Sequence, residues 1–146
     1  MFSRYLSRRS FLQLSGAGLA AGVLPALPSR ADGAHHLRAA PTQAHLVGNP
    51  YPLTPVWAYD GQVPGPLLRY RQGEILRVRL DNQLPAATTV HWHGLRLPNA
   101  MDGVPRLTQS PVEAGESFEY RFPLPDAGTF WYHPHYNSSE QVGRGL

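Results

Sequence analysis

Leu76-Arg77-Val78-Arg79-Leu80 and Phe118-Glu119-Tyr120-Arg121-Phe122 decide the fold. In each segment apolar and charged residues alternate, and a period of two puts one set of side chains on one face of a strand and the other set on the opposite face. Both segments therefore predict half-buried antiparallel strands. Working outward, further strands are expected at 56–59, 67–70, 89–93 and 128–133, with Pro-Gly, Asp-Asn, Pro-Asn and Ala-Gly turns between them. Nothing beyond Pro50 looks helical. Several short strands at this spacing predict an all-β domain, a β-sandwich or Greek-key barrel.

With 146 residues, the chain has room for one modest core. It contains no Cys, which excludes disulfides, thiol catalysis, Cys-ligated zinc, iron–sulfur clusters and a Cys-ligated blue copper site within this chain. Any metal must use His or oxygen ligands. The 13 basic residues against 10 acids give a formal charge of +3, but the excess is local. Arg4, Arg8, Arg9 and Arg30 fall within residues 1–31, which hold no acid, and the remainder carries nine Arg against ten acids. The basic balance belongs to a leader and gives no ground for a nucleic-acid partner.

That leader reads Ser7-Arg8-Arg9-Ser10-Phe11-Leu12-Gln13, then a Gly/Ala/Leu stretch from Leu14 to Leu27, then Ser29-Arg30-Ala31. It is similar to a twin-arginine signal peptide over residues 1–31, which implies export of the folded chain by the twin-arginine machinery to a bacterial periplasm. Ser15, Gly16, Gly18, Gly22 and Pro25 interrupt the apolar stretch and make it a poor membrane span. Residues 32–50 show no periodicity and are expected to be a linker, with His35, His36 and His45 solvated. The domain proper is expected over 51–146. The chain ends after Val142-Gly143-Arg144-Gly145-Leu146 without a closing apolar run, so the sandwich is expected to lack its final strand or strands.

Two His-x-His pairs carry the chemistry: His91-Trp92-His93 and His133-Pro134-His135. Side chains two apart on a strand share a face, so both imidazoles of a pair point one way while Trp92 points the other, their Cα atoms roughly 6.5 Å apart. That gap suits two neighbouring metal ions better than one. Side by side, the pairs would surround a common volume with neutral imidazoles, which are costly to desolvate unless their nitrogens meet partners. Copper or zinc would satisfy such a set.

With these motifs in view, most of the chain beyond Val56 resembles the N-terminal plastocyanin-like (cupredoxin-like) domain of multicopper oxidases, the family of laccases and bacterial copper-efflux oxidases. The matching segments are Tyr59-Asp60-Gly61-Gln62-Val63-Pro64-Gly65-Pro66, His91-Trp92-His93-Gly94, Met101-Asp102-Gly103-Val104-Pro105 and Thr129-Phe130-Trp131-Tyr132-His133-Pro134-His135. The resemblance implies a cupredoxin-like Greek-key β-sandwich. It also implies half of the ligands of a trinuclear copper cluster that reduces O2 to water: His91 for a type 2 copper, His93 and His133 for one type 3 copper, His135 for the other.

By the same resemblance Asp102 stands near the type 2 copper and relays protons; as part of an Asp-Gly pair it could equally serve a turn. Trp92, Trp131 and Tyr132 read as core or as packing around the histidines. Gly61, Gly65, Gly94 and Gly103 read as turn residues, Arg96 and Arg106 as a solvated face, and Glu113, Glu116 and Glu119 receive no chemistry. The blue-copper Cys and two further His-x-His motifs of the family are absent from this sequence. Function is therefore expected to require further cupredoxin domains, in cis or in trans. The alternatives are a stand-alone periplasmic copper-binding or sequestration module and one half of a split oxidase.

Overall fold

The structure, a computed structural model, describes residues 33–146; the leader expected over 1–31 lies outside the described residues. The chain runs β1 (His35–Ala44), β2 (Thr54–Tyr59), β3 (Ile75–Asn82), β4 (Val90–His93), a 3₁₀ turn (Asn99–Met101), β5 (Ser117–Pro123), β6 (Trp131–Pro134) and α1 (Ser138–Arg144). The all-β expectation holds: strands form a four-stranded sheet in the order β2-β1-β3-β5 and a two-stranded sheet β4-β6.

The alternation in β3 and β5 works as the sequence requires. The two strands pair antiparallel with Leu76 opposite Phe122, Val78 opposite Tyr120 and Leu80 opposite Phe118. Leu76, Val78, Leu80, Tyr120 and Phe122 are buried, while Arg79, Glu119 and Arg121 face water. Each fully buried aliphatic chain of this size contributes about 1.5–3 kcal/mol relative to exposure. The β4–β6 pair closes the core from the other side, where Trp92 meets Tyr120 at 5.4 Å and Phe122 at 5.7 Å between ring centroids.

Residues 35–44 are a strand and not the linker expected over 32–50. β1 lies inside the four-stranded sheet, parallel to β3 with Leu37 beside Leu80, and antiparallel to β2 with Ala39 opposite Tyr59. Leu37 and Ala39 are fully buried. The two neighbours supply the burial that the strand's own weak apolar content does not announce. His45 and His36 are exposed as expected, but His35 is largely covered, its Nε2 3.5 Å from Asp60 Oδ2.

Three other expectations change. Residues 67–70 form no strand; this segment follows Pro66, whose carbonyl accepts a hydrogen bond from the Tyr132 hydroxyl at 2.9 Å, and it leaves Leu67 exposed. β6 begins at Trp131, three residues later than expected. Among the described residues two helical elements exist, the 3₁₀ turn at 99–101 and α1. α1 is held by one buried residue: Gln141 Oε1 accepts from the Thr88 hydroxyl at 2.7 Å and its Nε2 donates to the Ala87 carbonyl at 2.8 Å. With no apolar face of its own, α1 leaves no 3.6-residue pattern in the sequence.

Candidate metal centre

β4 and β6 run antiparallel with His91 opposite His133, Trp92 opposite Tyr132 and His93 opposite Trp131. Trp92 and Tyr132 turn into the core; His91, His93, Trp131 and His133 turn outward into a cleft. His135, just past β6, joins the same cleft. Its far wall is α1, which contributes Ser138, Ser139, Val142 and Gly143. All four expected histidines are thus brought together. His91 lies 5.6 Å from His93, 5.3 Å from His133 and 5.3 Å from His135, measured between ring centroids.

The nitrogens converge more tightly than the rings. One ligand atom each from His91, His93 and His133 lies within 4.8 Å of the others, and Nδ1 of His93 stands 3.3 Å from Nε2 of His133. Two imidazole nitrogens bound at ~2.0–2.1 Å to one tetrahedral ion stand about 3.3 Å apart, so this pair already has the spacing of ligands to a shared metal. Backbone carbonyls fix two of the rings. His91 Nδ1 is 2.7 Å from the Asp102 carbonyl and His133 Nδ1 is 3.0 Å from the Pro134 carbonyl. A carbonyl only accepts, so Nδ1 carries the proton in both rings and each Nε2 keeps a lone pair. The donor set fits copper.

Electrostatics act in the same direction. Burial first, and then the neighbouring imidazoles of His91, His93 and His135, hold His133 below its ordinary pKa of 6.5; the Pro134 carbonyl opposes them without prevailing. His133 is therefore kept in the neutral form that a metal requires. Behind the site, burial pushes the Tyr120 hydroxyl up to about 12, and its oxygen accepts the Val90 backbone N–H at 2.9 Å, securing the start of β4.

Asp102 sits at the end of the 3₁₀ turn, where its N–H donates to the Asn99 carbonyl at 3.2 Å, and it also touches the site, its Oδ1 3.2 Å from His91 Nδ1. Turn chemistry and histidine contact coexist in one residue. Trp131 is not a core residue: at 53% exposure it stacks on His133 at 4.1 Å and lies 5.2 Å from His93. Trp92 and Tyr132 pack behind the histidines. Arg96 lies outside the site in an exposed bidentate pair with Asp126 at 2.7 and 2.8 Å. Glu113 and Glu116 belong to the turn before β5, and Glu119 is on its outer face. The contribution of α1 to the cleft had no sequence signal except its polar ends, Glu140 in the first turn and Arg144 in the last.

A small all-β domain with four imidazoles gathered into one cleft defines a candidate histidine metal centre on a cupredoxin-like scaffold. The comparisons carry this to a family: residues 31–146 match the multicopper oxidase family, and the chain belongs to it. It is 37% identical over 150 aligned positions to a copper resistance protein A homolog of Pseudomonas syringae pv. tomato, a match covering 94% of this chain and 25% of that protein. A multicopper oxidase of Mycobacterium tuberculosis is 37% identical over 157 positions, covering 90% of this chain and 30% of its own length. Among solved structures, the multicopper oxidase of Pseudomonas thermotolerans superposes with a TM-score of 0.74 at 55% identity, covering 78% of this chain and 27% of that one. The chain thus spans about a quarter to a third of the length of these relatives. Family membership implies copper as the cofactor.

Proposed function

We propose that this chain is the copper-binding first domain of a multicopper oxidase, supplying His91, His93, His133 and His135 as half of the ligands of a trinuclear cluster. In the whole enzyme that cluster reduces O2 to water while a substrate is oxidised. The observation that carries the reading is the 3.3 Å approach of His93 Nδ1 to His133 Nε2 within the group that includes His91. By the family resemblance, His91 serves the type 2 copper, His93 and His133 share one type 3 copper and His135 serves the other. Copper, when bound, supplies the one-electron steps that O2 reduction needs.

The chain's own residues orient and shield. His91 and His133, tethered through Nδ1, present Nε2 to the cleft, and Trp131 stacks on one face of His133 and lies beside His93. The Asp102 carboxylate, in contact with His91, is the proposed proton relay. Further cupredoxin domains, in cis or in trans, would provide the remaining ligands and the Cys-ligated copper that delivers electrons. The Arg8-Arg9 leader supports export by the twin-arginine machinery to the periplasm; replacing both with Lys should hold the protein in the cytoplasmic fraction.

Titrating the full chain with Cu(II) and following the bound ion by electron paramagnetic resonance tests the ligand assignment. Wild type should bind copper through nitrogen donors, and His93→Ala with His133→Ala should lose at least tenfold in affinity. Equal binding by both proteins would sink the reading. A second reading, a copper-binding or sequestration module acting alone, draws on the exposure of His93 and His135 at an open cleft. Oxygen uptake separates the two: the loaded chain alone should not turn over a phenol, and a Cys-containing partner domain, covalently joined or added, should restore turnover only if the oxidase reading holds.

A further inference from the structure

Among the four imidazoles of the cleft, His91 is the one whose second nitrogen is held, among the described residues, by a segment outside β4 and β6. That segment is the loop after the 3₁₀ turn. Two oxygens of Asp102 reach His91 Nδ1, the backbone carbonyl at 2.7 Å and carboxylate Oδ1 at 3.2 Å. Both accept, so either one alone would place the proton on Nδ1 and leave the lone pair on Nε2.

The two oxygens are not equally well placed. The carboxylate ends a rotatable side chain that is 31% exposed. The carbonyl belongs to a backbone fixed on both sides. Before it, the Asp102 N–H closes the turn onto the Asn99 carbonyl at 3.2 Å. After it, Gly103 is buried with φ at +76°, a region that favours glycine. Gly103 also lies flat against β4: a Cβ added there would run into the Val90 carbonyl and stand 2.9 Å from the His91 backbone nitrogen. The loop rests backbone against backbone on the strand that carries His91. The Asp102 carbonyl is therefore registered to His91 through rigid main chain, whereas the carboxylate is registered through a free torsion.

We infer that the Asp102–Gly103 main chain, and not the Asp102 carboxylate, is the positioning element that fixes the His91 tautomer and aims its Nε2 into the cleft. The functional meaning of this inference rests on the ligand reading of His91; its test does not. The division of labour follows from the geometry. Gly103 permits the close approach, the carbonyl sets the ring, and the carboxylate is left without a structural duty toward the imidazole.

The test uses the full chain, metal-free, labelled with nitrogen-15 at histidine, at a pH where the imidazoles are neutral. Wild-type His91 should show a protonated Nδ1 and an unprotonated Nε2. Asp102→Ala removes the carboxylate and keeps the carbonyl, so the same tautomer should persist and Cu(II) affinity should fall by less than tenfold. Gly103→Ala displaces the loop, so His91 should populate both tautomers and Cu(II) affinity should fall about 10–100-fold, the range for losing an outer partner of a ligating histidine. Should Gly103→Ala not fold, Asp102→Ala decides alone: a switch of His91 to protonated Nε2 overturns the inference. Failures of the two readings look different. A correct tautomer in a wild-type chain that binds no copper defeats the ligand reading and leaves the positioning intact; copper binding with protonated Nε2 in the metal-free wild type does the reverse.

Discussion

The β3–β5 and β4–β6 pairs are both antiparallel ladders with an inner and an outer face, and they spend the outer face differently. In β3–β5 the inner residues form the core and the outer ones, Arg79, Glu119 and Arg121, are left to water. In β4–β6 the inner face is again core, through Trp92 and Tyr132, but the outer face is a row of imidazoles roofed by Trp131 and walled by α1. One ladder separates stability from function by giving its outer face none. The other couples them: the same strands that anchor the core hold the histidines in register, with one residue between the two jobs. That row of imidazoles, with ring centroids 5.3–5.6 Å apart around His91, is the feature on which the proposed metal site rests.

The sharpest way to break this coupling is Trp92→Ala. Removing a buried aromatic side chain from behind the histidines should cost about 3–5 kcal/mol in urea unfolding and abolish copper binding together with the fold. If stability falls and copper binding survives, the two faces of β4 are independent. His93→Ala with His133→Ala attacks the opposite face: copper affinity should drop at least tenfold, while the metal-free unfolding midpoint moves much less than in Trp92→Ala.

Gln141→Leu tests the wall. It strands the buried Ala87 carbonyl and leaves the buried Thr88 hydroxyl only the Thr89 carbonyl at 3.4 Å, and should cost about 1–3 kcal/mol, with weaker copper binding as α1 loosens. The β3 side should respond to pH in its own way. Burial raises the Asp81 pKa, but hydrogen bonds and charge from Arg79 and His36 outweigh it and hold the carboxyl below its ordinary 3.8. The unfolded chain then takes up this proton more readily than the folded one. The pair's contribution is present above the ordinary pKa and is lost as pH falls through the folded one. Asp81→Asn should flatten the acid limb of the stability profile without changing copper binding. Smallest of all, Arg96→Ala should leave both melting and copper affinity unchanged, because its pair with Asp126 lies at the surface, where such pairs contribute little.

How legible each region was follows from where its stabilising contacts lie. β3 and β5 announce themselves because their burial pattern is written within single segments of alternating sequence. β1 does not, since Leu37 and Ala39 are its only fully buried apolar residues and its place inside the sheet depends on β2 and β3. α1 is anchored to distant partners by the Gln141 amide and by Arg144, which sits 4.7 Å over the Trp57 ring. Residues 67–70 carry enough apolar character for a strand, yet Leu67 stays in water while Leu68 packs on the core. At the site, the paired spacing put His91 and His93 on one face of β4, while His135 lies just past the end of β6 and still reaches the same cleft as His133. Which nitrogen His91 and His133 offer was invisible, because the backbone carbonyls of Asp102 and Pro134 decide it.

By itself, then, the sequence determined an all-β domain, the four histidines and the residue between each pair, since a period of two is a local property of the backbone. Only the tertiary structure decided that His91 faces His133 across the ladder, that Trp131 roofs the cleft instead of filling the core, and that the Asp102 carbonyl reaches His91. Those rest on contacts between residues 11 to 42 positions apart, His91 with Asp102, Trp131 with His93 and His91 with His133, fixed by strand register and loop packing. Pairings across such separations follow from how the whole core closes, which no single stretch of sequence encodes.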